Sequence, residues 1–201
     1  VDEKGRNCIL FYAHEGLRIT DEYIDRVLES FGPGDYLLLQ NELDNTDGMI
    51  RAAKKKGLKV VLNPSPANEE LLTFPLELVD CFLLNEHEGA FLAGETDPSC
   101  FLDALHAKYP NALLVLTLGE KGAVCLADGV RYEQGIFPVK AVDTTAAGDT
   151  FTGYFLAGLL EGKPISDCLR RASMASSIAV GRPGAADSIP LLAEVEKALA
   201  E

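Results

Sequence analysis

Four short apolar runs, each followed by a loop and a stretch with helical spacing, constrain this chain more than any other feature. The runs are Tyr36–Leu39, Lys59–Asn63, Cys81–Asn85 and Leu113–Leu118. A strand buried on both faces reads as a continuous apolar run, as Tyr36–Leu39 and Leu113–Leu118 do, and strands joined by helical crossovers lie parallel. The intervening segments carry helix punctuation. Thr20 precedes Asp21 and Glu22, an N-cap followed by acids in the first turn. Ile24, Val27, Leu28 and Phe31 then make one apolar stripe, which Gly32-Pro33-Gly34 stops. A second helix is expected from about Thr46 to Lys56, closed by Gly57. Two more are expected from Glu86 to about Ala93 and from about Ser99 to Lys108. A further strand is expected at Asn7–Tyr12. This alternation predicts a mostly parallel sheet with helices on both faces.

After Gly122 the pattern changes. Ala123–Ala127 and Val130–Phe137 flank Asp128-Gly129, a strong hairpin signal, which places an antiparallel hairpin at the edge of the sheet. Helices are expected at about Ala147–Glu161, Ser166–Val180 and Pro190–Ala200. No repeat or linker interrupts the chain, so residues 1–201 are read as one α/β domain. At roughly 100–200 residues per domain, 201 residues suit this reading. The chain opens at Val1 and reaches strand-like sequence almost at once, from which an upstream part is expected.

The charge balance narrows the partners. Lys and Arg number 18 and Asp and Glu 31, a net charge of −13. Such a chain is a poor counterion for nucleic acid or an anionic membrane, and no apolar run approaches the ~20 residues of a membrane span. No signal-peptide pattern opens it. Cys8, Cys81, Cys100, Cys125 and Cys168 are odd in number, scattered and mostly within apolar runs. They are read as buried reduced thiols of a cytoplasmic protein. His14, His87 and His106 have no metal spacing and are read as surface residues.

In open parallel sheets ligands sit at the carboxyl ends of the strands. There the sequence places Gln40-Asn41-Glu42, Asn63-Pro64-Ser65, Asn85-Glu86-His87-Glu88 and Thr117-Leu118-Gly119-Glu120-Lys121-Gly122. Any one of these could be a helix cap or a plain loop; four together point to a site. The stretch Ala141–Phe151 runs small residues straight into an apolar helix. A helix start exposes backbone N–H groups and the positive end of the dipole. Ala146, Ala147 and Gly148 allow an anion close to that backbone. Asp149 in the first turn is worth about 0.3–1 kcal/mol as a dipole partner alone. It is also placed to act as a general base beside a bound phosphate. Gly181–Ser188 is either a helix end with a turn or a loop whose carbonyls bend around a cation.

Asp143-Thr144-Thr145-Ala146-Ala147-Gly148-Asp149-Thr150-Phe151 resembles the C-terminal signature of the PfkB-type sugar kinases, and its Ala-Ala-Gly-Asp form is most similar to the ribokinase branch. Leu39–Glu42, Asn63–Ala67, Asn85–Glu88, Thr117–Gly122 and Gly184–Ser188 resemble segments of that branch in the same order. The resemblance covers essentially Leu37 to the C-terminus. It implies a ribokinase-like α/β fold and ATP-dependent phosphorylation of a primary hydroxyl of a small sugar, most simply ribose. It further implies Asp149 as catalytic base and Gly148 with its neighbours as the anion hole. Asn85 and Glu88 would organise Mg2+, and Thr117, Leu118, Gly119, Glu120, Lys121 and Gly122 would form the nucleotide loop. Ser173 would lie on the adenine side and Glu42 would touch the sugar. Asp143, Thr145, Ala179, Arg182, Gly184 and Ser188 would enclose K+.

Two departures fall on the sugar side. The family's N-terminal part, with its first strand, Gly-Gly segment and lid, is absent from these residues. Tyr12-Ala13-His14-Glu15-Gly16 stands where Gly-Ala-Asn is usual. The resemblance therefore implies binding of ATP with Mg2+ but no sugar phosphorylation by these residues alone, and either a homo-oligomer or poor solubility through an exposed strand edge. The alternatives are a fructokinase, deoxysugar-acid kinase or nucleoside kinase of the same family, a non-catalytic nucleotide-binding remnant, and an interaction domain.

Overall fold

The computed structural model describes residues 18–201. The expected strand Asn7–Tyr12, Tyr12–Gly16, Cys8 and His14 lie outside them. Among the described residues the helices are α1 (Asp21–Leu28), α2 (Thr46–Lys55), α3 (Glu86–Ala93), α4 (Phe101–Lys108), α5 (Ala147–Leu160), α6 (Ile165–Val180) and α7 (Leu192–Ala200). The strands are β1 (Tyr36–Gln40), β2 (Lys59–Asn63), β3 (Cys81–Asn85), β4 (Leu113–Thr117), β5 (Ala123–Ala127) and β6 (Val130–Gln134). They form one mostly parallel sheet in the order β1-β2-β3-β4-β5-β6, with an antiparallel pair and flanking helices. β1 runs parallel to β2 with Leu38 opposite Val61, and β2 parallel to β3 with Val61 opposite Cys81.

Local chemistry sets most element ends. Thr20 caps α1 by accepting from the Tyr23 amide. Gly57, at φ 81°, ends the turn that follows α2. Asn85 caps α3 with a capping box closed by Glu88. Asp128 and Gly129, at φ 49° and 76°, make the tight turn between β5 and β6.

Four expectations are corrected. Val27 and Phe31 are exposed: α1 buries only Ile24 and Leu28, Val27 lies off that narrow face, and Phe31 lies beyond the end of the helix. β1 is not buried on both faces: Leu39 faces the core, while Tyr36 and Leu38 are 39% and 46% exposed. The segment before α4 is a 3-10 turn at Pro98–Cys100, capped by Asp97, so α4 begins at Phe101 and Cys100 is exposed rather than buried. β6 ends at Gln134, so Ile136 and Phe137 belong to an irregular segment. Cys81, Cys125 and Cys168 are buried thiols, and burial pushes the Cys125 thiol up to about 12.

The fold divides into two compact units. One comprises 18–116 and 126–130 among the described residues; the other comprises 117–125 and 131–201. The first is cored by Val60, Leu62, Phe82, Leu114 and Leu116, with Ile50 of α2 and Phe101 and Leu105 of α4 all fully buried. In the second, α5 and α6 pack closely: a Cβ on Gly158 would lie 2.8 Å from the Cys168 sulfur, which requires glycine there. Met174, Ala175 and Val195 bury the contact of α6 with α7, beside Phe137 and Tyr154.

Candidate active site

The second unit contains a cavity of about 370 Å³, within the range of small-molecule sites. Three stretches distant in sequence line it. Thr117, Gly119, Glu120 and Gly122 come from the β4–β5 loop, Ala147 and Gly148 from the start of α5, and Ser173, Ser176 and Ser177 from α6. Of the residues expected at a nucleotide site, Leu118 and Lys121 lie in the same loop but outside the lining. The loop holds its shape through glycine. Leu118 N–H donates to the Gly122 carbonyl at 2.8 Å, with Gly119 at φ 53° and Gly122 at φ 93°. A Cβ on Gly122 would sit 2.1 Å from the Gln134 carbonyl oxygen, an overlap no side chain tolerates.

Ala146 begins α5 in the left-handed conformation, φ 59°, and supplies no side-chain cap. The first i→i−4 bond of the helix runs from the Thr150 amide to the Ala146 carbonyl. The Gly148 and Asp149 amides precede it, in the first turn, where an anion is the natural partner. Both residues are exposed. The sequence did not point to the apolar part of the lining: Ile136, Phe137 and Val139 from the irregular segment after β6, with Phe151 of α5 and Val180 of α6. Its signal was the apolar run Ile136-Phe137-Pro138-Val139, which reads equally well as the end of a strand.

Asp143 ties two loops of the same unit. Its carboxylate accepts from the Thr145 amide at 2.9 Å and from the Gly184 amide at 3.1 Å. The Thr145 hydroxyl and these two amides hold its pKa below the ordinary carboxylate value. The Val180 carbonyl accepts from the Val142 and Asp143 amides, and the Ala179 carbonyl from the Arg182 amide. Ser188 is fully buried and donates to the Ala185 carbonyl. Of the residues expected around a monovalent cation, hydrogen bonds join Asp143, Thr145 and Gly184; Ala179 and Arg182 bond each other, Ser188 bonds within its own turn, and the Arg182 side chain is turned to Glu194 at 2.6 Å.

In the first unit, Glu42 is exposed in the turn after β1. Glu88 is 4% exposed, and its two oxygens accept from the Asn85 backbone amide at 2.9 Å and the Asn85 side chain at 2.8 Å. Burial raises its pKa, against the opposing pull of these bonds and of a bond to Ser65. Asn85 also accepts from the His87 and Glu88 amides. The pair is therefore a capping box that presents a buried carboxylate at the end of β3. Among the described residues no three His, Cys, Asp or Glu side chains cluster as a metal site. No described helix is long and apolar enough to cross a membrane.

Comparison with known proteins adds identity to this geometry. The profile of the pfkB family carbohydrate kinases matches residues 1–192. A ribokinase from Schizosaccharomyces pombe is 34% identical over 210 residues, covering 98% of this chain and 64% of its own length. The chain thus spans somewhat under two thirds of that relative. Among solved structures, Thermotoga maritima ribokinase superposes with a TM-score of 0.79 at 32% identity, over 100% of this chain and 68% of that one. Arabidopsis thaliana ribokinase, complexed with ribose and ATP, superposes with a TM-score of 0.73 at 30% identity, over 90% and 58%.

Proposed function

Since the chain belongs to the pfkB family of carbohydrate kinases, we propose that it serves ATP-dependent phosphorylation of a primary hydroxyl of a small sugar, ribose being the first candidate. The observation that carries this reading is a cavity in which the β4–β5 loop, the start of α5 and the α6 serines converge. Its apolar wall suits a flat base, and the first turn of α5 suits phosphates. Gly148 and the amides beside it are assigned the transferred phosphoryl. Asp149, one residue further into the helix, is assigned the sugar hydroxyl proton as general base. Thr117 to Gly122 would follow the nucleotide and Ser173 the base. Glu42 would bind sugar in its own unit.

The Asn85–Glu88 pair fits Mg2+, which keeps most of its waters and needs only one or two carboxylates beside substrate phosphates. Bound there, the ion would supply positive charge at the carboxyl end of β3. The loop carbonyls and hydroxyl groups around Asp143, Thr145, Ala179, Arg182, Gly184 and Ser188 are all oxygen donors and fit K+. That ion would brace the approach to α5. The buried thiols favour a cytoplasmic protein.

Turnover tests the assignment. In a chain completed with the family's N-terminal part and given Mg–ATP and ribose, Asp149→Asn is expected to lower the rate of ADP formation about 10²–10⁴-fold while leaving ATP affinity unchanged. A rate equal to that of the unsubstituted protein would remove Asp149 from the role.

A further inference from the structure

Two adjacent serines of α6 bond two separate stretches of the cavity lining. Ser173, Ser176 and Ser177 occupy i, i+3 and i+4 and so share one helix face, and all three line the cavity. A serine within a helix commonly returns its proton to its own i−4 carbonyl. Here Ser177 instead donates across 40 residues to the Phe137 carbonyl at 2.9 Å. Ser176 donates across 29 residues to the Ala147 carbonyl at 3.0 Å. The first bond fastens the irregular segment that follows β6, which no ladder holds. Its exposed Ile136 and Val139, 48% and 46% accessible, are the apolar wall. The second fastens the first residue of α5, directly before Gly148 and Asp149.

We propose that Ser176 and Ser177 are positioning residues that set the two ends of the cavity separately, Ser177 the wall for the base and Ser176 the helix start for the phosphates. The division follows from the carbonyls they hold. Phe137 sits between the two apolar wall residues. Val139 in turn packs on the end of α6, where a Cβ on Gly181 would meet it at 3.0 Å. Losing the Ser177 bond frees that wall and leaves α5 in place. Losing the Ser176 bond frees the first turn of α5 and leaves the wall in place.

This inference rests on the cavity being the nucleotide site, and the test separates the two. Adenosine and Mg–ADP are titrated calorimetrically into the protein and into Ser176→Ala, Ser177→Ala and the two Ser→Thr variants. Ser177→Ala is expected to weaken adenosine and ADP alike, about 5–10-fold, the range of one hydrogen bond. Ser176→Ala is expected to weaken ADP by a similar factor and leave adenosine unchanged. Threonine, which keeps the hydroxyl, is expected to restore binding at each position. Amide exchange without ligand supplies a second readout: Ser177→Ala speeds exchange over 136–141 only, and Ser176→Ala over the first two turns of α5 only. Equal losses of both ligands in both alanine variants, no loss in either, or threonine behaving as alanine would overturn the positioning roles. Failure of the unsubstituted protein to bind either ligand would overturn the nucleotide reading and the inference with it.

Discussion

At the scale of the residue, Ala146 carries the most revealing conformation. An L-residue at φ 59° pays about 1–2 kcal/mol relative to right-handed backbone, a cost glycine escapes. The gain is a chain that enters α5 sharply, leaving the Gly148 and Asp149 amides ahead of the first helical bond. Glycine loses more freedom on folding, which returns about 0.4–1 kcal/mol of that cost. Ala146→Gly is therefore expected to stabilise the fold by up to about 1 kcal/mol, read as a small rise in Tm. A clear fall in Tm would mean that the alanine methyl contributes packing at the site. The run of small residues leading to Asp149 was readable in the sequence, and so was the placing of Asp149 in a first helical turn. The left-handed turn at Ala146 was not, because alanine is not a residue that announces that conformation.

At the scale of the element, Asp80 shows how one loop carboxylate joins neighbouring pieces. It accepts from Lys54 of α2 at 2.7 Å, from Lys59 at 3.3 Å and from the Val60 amide of β2 at 2.7 Å. Its backbone carbonyl accepts from the Leu113 amide that opens β4. Burial raises its pKa, but the Lys54 and Val60 hydrogen bonds and the lysine charges outweigh this and leave it below the ordinary value. A depressed folded-state pKa adds stability above the unfolded value, 3.8, and that stability disappears as pH falls through the folded value. Asp80→Asn is expected to lose about 1.5–3 kcal/mol at pH 7, the range for hydrogen bonds to charged groups, by urea unfolding. The difference from the unsubstituted protein should shrink at pH 3. An equal difference at both pH values would show that charge is not what Asp80 contributes. β2, β3 and α3 were readable to their ends because Gly57, Pro64 and the Asn85–Glu88 cap mark them locally. The exposure of β1 and the end of β6 were not. They depend on which neighbours cover Tyr36 and Leu38, and on the Gln134 carbonyl meeting Gly122 across the β4–β5 loop.

At the scale of the whole molecule, a net charge of −13 meets a proposed polyanionic ligand. The cavity resolves the conflict locally: of its lining residues only Glu120 is ionisable, so backbone amides and the α5 dipole face the ligand. A phosphate site built from amides, as proposed, would be signalled in sequence by glycines and spacing rather than by lysines or arginines. The apolar wall at Ile136–Val139 escaped that reading. It is formed by a segment 40 residues from α6 in sequence, whose Phe137 carbonyl accepts from Ser177. Hydrogen–deuterium exchange with saturating Mg–ADP tests the central assignment most directly. Slowed exchange is expected within 117–123, 136–141, 147–151 and 173–180, and less of it without Mg2+. Protection confined to other segments, or none at saturating ligand, would contradict the placing of the nucleotide in this cavity.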